Sequence, residues 1–298
     1  MKVSGFSFVR NAVIFDYPFL ESIHSILPLC DEFVIAVGQS DDDTLSRLEK
    51  LNDPKIKIVQ TVWNSAMRTG GAVLAEQTNI ALRHVTGDWA FYLQADEVVH
   101  EKDLPVIRNA METHVSDSSV EGFLFDYLHF YGSYDYVGQS RRWYRREIRI
   151  VRNGIGVQSW GDAQGFRIGS RKLRVKPIHA SVYHYGWVKP PRIQQLKQQH
   201  FNKLWHPDEW VERKVSAFEE YDYSSGGRLG RFSGSHPRVM EQRIAAQDWK
   251  FVYDPARVDQ SARESFLDWI ERKTGYRVAE YKNYEIIQDL PDQHPAEF

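Results

Sequence analysis

Residues 89–97 read Trp89-Ala90-Phe91-Tyr92-Leu93-Gln94-Ala95-Asp96-Glu97. Five residues suited to a buried strand run directly into two adjacent carboxylates. Open α/β sheets bind ligands beyond the carboxyl ends of their strands, so an acid-tipped strand puts fixed negative charge at the ligand-binding edge. Carboxylate oxygens in that place are hard ligands, suited to Mg²⁺ or Mn²⁺ holding a phosphate. Taken alone, the segment is equally a strand followed by a polar turn. Its surroundings decide between the two.

Upstream, strand-like and helix-like segments alternate. Val3–Val9 is rich in strand formers, and Asp16-Tyr17-Pro18 supplies a helix start ahead of Phe19, Ile23, Ile26 and Leu27 at helical spacing. Phe33–Val37 is an unbroken apolar run ending in Gly38 and the polar loop Gln39–Asp43. Leu45, Leu48 and Leu51 mark a short helix, Ile56–Val59 a third strand, and Gly71–Val85 a long helix closed by Gly87. Strands separated by helices of this length predict right-handed crossovers and a mostly parallel, Rossmann-like sheet. The chain has no Gly-x-Gly-x-x-Gly and no Walker lysine loop, so neither a dinucleotide site nor a P-loop is indicated.

Downstream of residue 120 the pattern changes. Gly122–Tyr131 alternates and is rich in aromatics, and Glu147–Arg152 and Ala180–Tyr185 have strand character. These segments predict an antiparallel extension of the same sheet. From Pro190 onward helices dominate, over Ile193–Trp205, Asp208–Tyr221 and Ser261–Lys273, and the polar last eight residues are expected to fray.

The bulk properties exclude several classes. The 298 residues are 42% apolar and 26% charged, ordinary values for a soluble globular protein. A net charge of −2 gives no global attraction to nucleic acid. The single cysteine, Cys30, cannot form an internal disulfide, and no Cys/His zinc spacing exists. The N-terminal apolar run is too short for a signal peptide, and no window reaches membrane-span length. The expectation is a cytoplasmic protein, with peripheral docking at the inner face of a membrane left open.

An ordered set of segments carries a family resemblance. It comprises Phe8-Val9-Arg10-Asn11, Asp31–Val37, Ser40-Asp41-Asp42-Asp43-Thr44, Gln77–Leu82, Gly87-Asp88-Trp89 and Gln94-Ala95-Asp96-Glu97. Together they resemble the family 2 glycosyltransferases of GT-A fold, and in particular the branch that builds bacterial lipopolysaccharide and capsule. The resemblance implies an α/β catalytic unit over residues 1–190, with a nucleotide-sugar half to residue 100 and an acceptor half beyond it. A helical extension over 191–298 would pack on that unit. It implies sugar transfer from a nucleotide-diphosphate donor to a hydroxyl of a carbohydrate or glycolipid acceptor, with inversion at the anomeric carbon. It also implies a divalent metal, Mn²⁺ or Mg²⁺, bridging the diphosphate and an Asp-any-Asp motif.

Residue by residue, Gln94 stands where the first acid of that motif would be and Asp96 where the second would be. Gln94 is a neutral oxygen donor that can still hydrogen-bond a nucleotide but weakens the grip on a dication. Glu97 either compensates or faces solvent. Arg10, Asn11 and Asn79 match positions near the donor, while Asp42 belongs to an acid run that serves either the donor or the cap of the following helix. His184, at the end of a late strand, matches a position that ligates the metal or contacts the diphosphate. Asp162, in the glycine-flanked loop Trp160-Gly161-Asp162-Ala163-Gln164-Gly165, is the candidate general base, ahead of Asp126 and Asp135.

Two readings come from residue chemistry alone. In the arginine cluster from Arg141 to Arg152, Arg149 and Arg152 flank a strand and could clamp a diphosphate bidentately; a solvated basic face is the alternative. In the aromatic tract, Tyr134 and Tyr136 could stack on an acceptor sugar, whereas Phe130 reads as core. A nucleotidyltransferase and an inactive sugar-binding homologue remain the rival readings at this stage.

Overall fold

The computed structural model describes residues 1–287 apart from 65, 68, 216, 217, 259 and 260; the polar tail expected to fray falls outside them. The N-terminal half alternates as its sequence pattern requires: β1 (Val3–Val9), α1 (Phe19–Ile26), β2 (Glu32–Gly38), α2 (Thr44–Glu49), β3 (Ile56–Thr61), α3 (Ala72–Leu82) and β4 (Trp89–Tyr92). These four strands pair in parallel in the order β3-β2-β1-β4. β1, β2 and β4 are almost wholly buried because both sheet faces are covered. Alternate residues divide between the faces. Phe33, Ile35 and Val37 enter one core with Ile23 and Ile107, while Val34 and Ala36 enter the other with Ala81 and Leu82.

The chain continues through β5 (Glu97–Val99), α4 (Leu104–His114), β6 (Gly122–Tyr131), β7 (Ser133–Gly138), β8 (Arg146–Arg152), β9 (Val157–Trp160), β10 (Gly165–Ile168) and the long β11 (Arg171–Trp187). The sheet extends past β4 in the order β8-β6-β11-β10-β9. β8 lies antiparallel between β4 and β6, as the pattern predicts. β6 and β11, however, run parallel. The short β5 has no period of its own to betray it, and it forms because the backbone after Asp96 pairs antiparallel with β11.

The C-terminal third supplies strands as well as helices: α5 (Pro191–Asn202), α6 (Asp208–Lys214), β12 (Leu229–Arg231), α7 (Glu241–Ala245), α8 (Ala262–Thr274) and β13 (Tyr284–Ile286). β12 pairs with β7 and β13 with β11. A Ser261–Glu264 capping box starts α8. α6 stops at Lys214, where Val215 turns extended. It falls short of the expected Tyr221, whose ring packs instead against Trp187 and Tyr223.

Candidate active site

A cavity of about 720 Å³ opens at the carboxyl ends of β1 and β4. It gathers Arg10, Asn11, Gln94, Asp96, Asp162 and His184, six of the residues singled out in the sequence. A second cavity of about 400 Å³ adjoins it and shares Asp162, Gln164 and the Arg142–Tyr144 segment.

The floor is built where β4 ends. Asp96 follows the strand, and β11 brings His184 beside it, with His184 Nε2 3.7 Å from Asp96 Oδ2. α5 brings Lys197 to the same oxygen at 3.5 Å, and its ammonium also donates to the Gly186 carbonyl at 2.9 Å. Tyr17 lies beneath, its ring 4.9 Å from the Lys197 nitrogen and 4.5 Å from that of the buried Lys189. Burial raises the Asp96 carboxyl, but His184, Lys197 and Lys189 outweigh it and hold the group below its ordinary value. Burial depresses Lys197, and it takes Lys189 down to about 7.

Two histidines form a relay behind Asp96. His129 Nε2 is 2.9 Å from the Tyr144 carbonyl, so that nitrogen carries the proton. Its Nδ1 then accepts from His184 Nδ1 at 3.1 Å. Burial lowers both imidazoles. This hydrogen-bond order leaves His184 Nε2 facing the Asp96 carboxylate.

The Asp162 loop closes the cavity through backbone contacts. Gln94 Nε2 donates to the Ala163 carbonyl at 3.3 Å, and Arg149 Nη1 donates to that of Gln164 at 2.9 Å. Ala163 itself has a positive φ of 67°, a strained turn that presents Asp162. Burial raises the Asp162 carboxyl. In the second cavity Glu147 is raised to about 7, mainly by burial, and its Oε2 has no hydrogen-bond partner among the described residues.

Other singled-out residues are placed elsewhere. Arg149 is fully buried on Glu97, so it holds the loop in place and does not face a ligand; Glu97 neither faces solvent nor reaches the cavity. Arg152 pairs with Trp89 at the opposite end of β4, where it donates to four backbone carbonyls. Asn79 spends its amide on the Ser159 backbone, pinning α3 to β9. Asp42 accepts from Ile14 and Thr44, fastening the β2–α2 loop to the chain after β1. Tyr134 is buried against Tyr185 and His236, while Tyr136 packs on Phe251 and Tyr253; neither lines either cavity. Asn11 lines the cavity but also locks two loops, exchanging hydrogen bonds with Asp41.

Lys197, Lys189, His129, Tyr17 and Glu147 were not legible as site residues. Lys197 and Lys189 lie about a hundred residues beyond the acidic strand, and no local motif marks them. Glu147 had one available signal, a carboxylate inside a strand of otherwise apolar and basic residues.

The resemblance makes Asp96 and His184 metal ligands. They face one another across the floor of the cavity, His184 Nε2 3.7 Å from Asp96 Oδ2. The donor set nevertheless does not fit a resident dication. Gln94 removes one of two fixed charges, Arg149 neutralises Glu97, and the Lys197 ammonium already occupies the neighbourhood of Asp96 Oδ2. Among the described residues no group of three or more His, Cys, Asp or Glu side chains is arranged to hold a metal ion.

A parallel half-sheet with its cavity at the strand tips, completed by a mixed half that carries the Asp162 loop, is a GT-A type of fold. The profile of glycosyl transferase family 2 matches residues 18–176, more than half of the chain, and the chain belongs to that family. A search of curated proteins found no match. Among solved structures, a 1–349 fragment of S. aureus TarS in complex with UDP-GlcNAc is similar at 22% identity and a TM-score of 0.34, covering 44% of this chain and 36% of that one. The same fragment in complex with UDP is similar at 16% identity and a TM-score of 0.40, covering 74% of this chain and 68% of that one. A longer S. aureus TarS structure is similar at 18% identity and a TM-score of 0.40, with 67% of this chain and 39% of that one covered. The chain thus spans little more than a third of the first two TarS structures in the comparison. No helix among the described residues is long and apolar enough to cross a membrane.

Proposed function

We propose that the chain transfers a sugar from a nucleotide-diphosphate donor to an acceptor hydroxyl, with inversion at the anomeric carbon and Asp162 as general base. The observation that carries this reading is the position of Asp162 in the wall common to both cavities. A base for this reaction has to reach the acceptor hydroxyl while the donor lies beside it. A seam between two sites is where that geometry arises.

The larger cavity has the size of a nucleotide-sugar site. The smaller is edged by arginines and aromatic rings and suits a polar, sugar-bearing acceptor. In the step itself Asp162 takes the hydroxyl proton and the acceptor oxygen bonds to the anomeric carbon. The bond from that carbon to the diphosphate breaks, and its electron pair leaves with the nucleoside diphosphate. Burial of Asp162 raises its proton affinity, which improves it as a base. The resemblance to lipopolysaccharide and capsule enzymes supports a carbohydrate or glycolipid acceptor in surface polysaccharide synthesis. The nucleotide-bound TarS structures make UDP and UDP-GlcNAc the first donor-side ligands to try.

The test uses Asp162→Asn with a panel of nucleotide sugars. Nucleoside diphosphate affinity should stay at the wild-type level while turnover falls by about 10²–10⁴-fold. Undiminished turnover would remove Asp162 from the reaction. A product whose anomeric configuration, read by NMR, matches the donor's would rule out inversion.

A further inference from the structure

The metal-binding tip of the family pattern is altered here at both ends of one charge balance. On the anionic side a carboxylate is lost, because Gln94 stands in place of the first acid. The next acid, Glu97, is fully buried and neutralised by Arg149. On the cationic side a charge is gained. Lys197 reaches the remaining acid, Asp96, from α5. α5 begins at Pro191, beyond residues 18–176 that match the family, so this cation comes from a part of the chain the family pattern does not describe.

The placement of Lys197 is built. Its side chain is nearly buried and still lines the larger cavity. Three features hold its ammonium: the Gly186 carbonyl at 2.9 Å, Asp96 Oδ2 at 3.5 Å and the face of Tyr17 at 4.9 Å. Gly186 leaves room for the arrangement, since a Cβ there would come within 2.5 Å of Asp96 Oδ2. An ammonium has three N–H donors. The carbonyl and the carboxylate account for two, which leaves one for an oxygen of a ligand in the cavity. A second cation entering beside Asp96 would be repelled by this charge, whereas a diphosphate oxygen would be drawn to it.

We propose that Lys197, in place of a bound divalent cation, takes up the negative charge of the departing diphosphate, so that this glycosyltransferase binds its donor and turns over without metal. The inference rests on the nucleotide-sugar reading above. A fixed ammonium in a site shielded from water acts as a preorganised charge that needs no reorganisation as the sugar–phosphate bond breaks. Asp96 then serves as a positioning residue. It and the Gly186 carbonyl aim the ammonium, and the His129–His184 relay orders the imidazole packed against the carboxylate.

Calorimetry with UDP, GDP and dTDP, each in EDTA and in MnCl₂, tests this on the full chain. At least one diphosphate should bind with affinities in the two conditions that agree within about threefold, and Lys197→Met should weaken it by about tenfold or more in both. Lys197→Arg, which keeps the charge, should stay nearer the wild type than Lys197→Met. Asp96→Asn keeps an oxygen to aim the ammonium, so it should bind in EDTA within about tenfold of wild type and show the same affinity in MnCl₂. Loss of a metal ligand would instead abolish binding.

Binding that appears only with Mn²⁺ would overturn the proposal, as would binding insensitive to Lys197→Met or abolished by Asp96→Asn. Should Lys197→Met fail to fold in a thermal melt, the Asp96→Asn and EDTA measurements decide alone. If no nucleotide sugar or diphosphate binds under either condition, the donor-site reading itself falls and takes this inference with it.

Discussion

Arg149 grips Glu97 with two parallel hydrogen bonds, Nε to Oε2 and Nη2 to Oε1, both 2.8 Å long and both side chains fully buried. The pair joins β5 to β8. Glu97 Oε2 also accepts the Gln94 backbone N–H at 3.0 Å at the acidic strand tip. Arg149 reaches the carbonyl of Gln164 in the loop that presents Asp162. The distance between Asp96 and the Asp162 loop is therefore set by an ion pair that lines neither cavity.

Breaking one side of this pair should be costly. Removing a partner leaves an uncompensated charge in the interior, so Arg149→Met and Glu97→Gln should each destabilise the fold by about 3–5 kcal/mol. Urea unfolding of each single variant and of the double variant measures this. The double variant should lose clearly less than the sum of the singles; additive losses would mean the two groups act independently.

The absence of a side chain at residue 186 is a requirement of the site. A Cβ there would lie 2.5 Å from Asp96 Oδ2 and 2.6 Å from His184 Nε2. Gly186→Ala should displace both groups, weakening nucleoside diphosphate binding by about tenfold or more while costing roughly 1–3 kcal/mol of stability. Calorimetry at wild-type affinity would show that the Asp96–His184 geometry does not govern the donor site.

Glu147 gives the stability curve a definite sign. Burial raises its carboxyl from 4.5 to about 7. Between those values the folded protein holds a proton that the unfolded chain has released. The stabilisation from this group is complete below about pH 4.5 and is lost as the pH rises through about 7. The loss is on the order of 3 kcal/mol, at about 1.36 kcal/mol for each pH unit of the window. Glu147→Gln keeps the shape and cannot ionise, so its stability measured in urea should fall less than that of wild type from about pH 5 to about pH 8. Parallel profiles for the two proteins would contradict this.

The pairing of residues along strands shows where sequence reasoning stopped short. Arg149 and Arg152 look like one basic clamp in the linear sequence. Three residues apart on β8, they end in different surroundings. Arg149 goes inward to Glu97, and Arg152 lies over Trp89 with its guanidinium carbon 4.3 Å from the ring centre. An irregularity in β8, where Ile150 and Ile148 oppose the neighbouring Phe123 and Leu124, breaks strict alternation at Arg149, so strand parity alone would not have separated them. The adjacent acids Asp96 and Glu97 could not be sorted either, because the short β5 that turns Glu97 inward exists only through its pairing with β11.

The sequence by itself determined the parallel half-sheet, the acid-tipped strand and the family. Each depends on local alternation of apolar runs, helical periods and turn residues, which physical chemistry reads within a few residues of chain. It also marked Asp162, since a glycine-flanked acid in a loop is a local signal. Only the tertiary structure decided which charges face the ligand. Electrostatic partners such as Asp96 with Lys197, or Glu97 with Arg149, are set by distances of a few ångströms across the fold, and separations of 101 and 52 residues along the chain carry no trace of them.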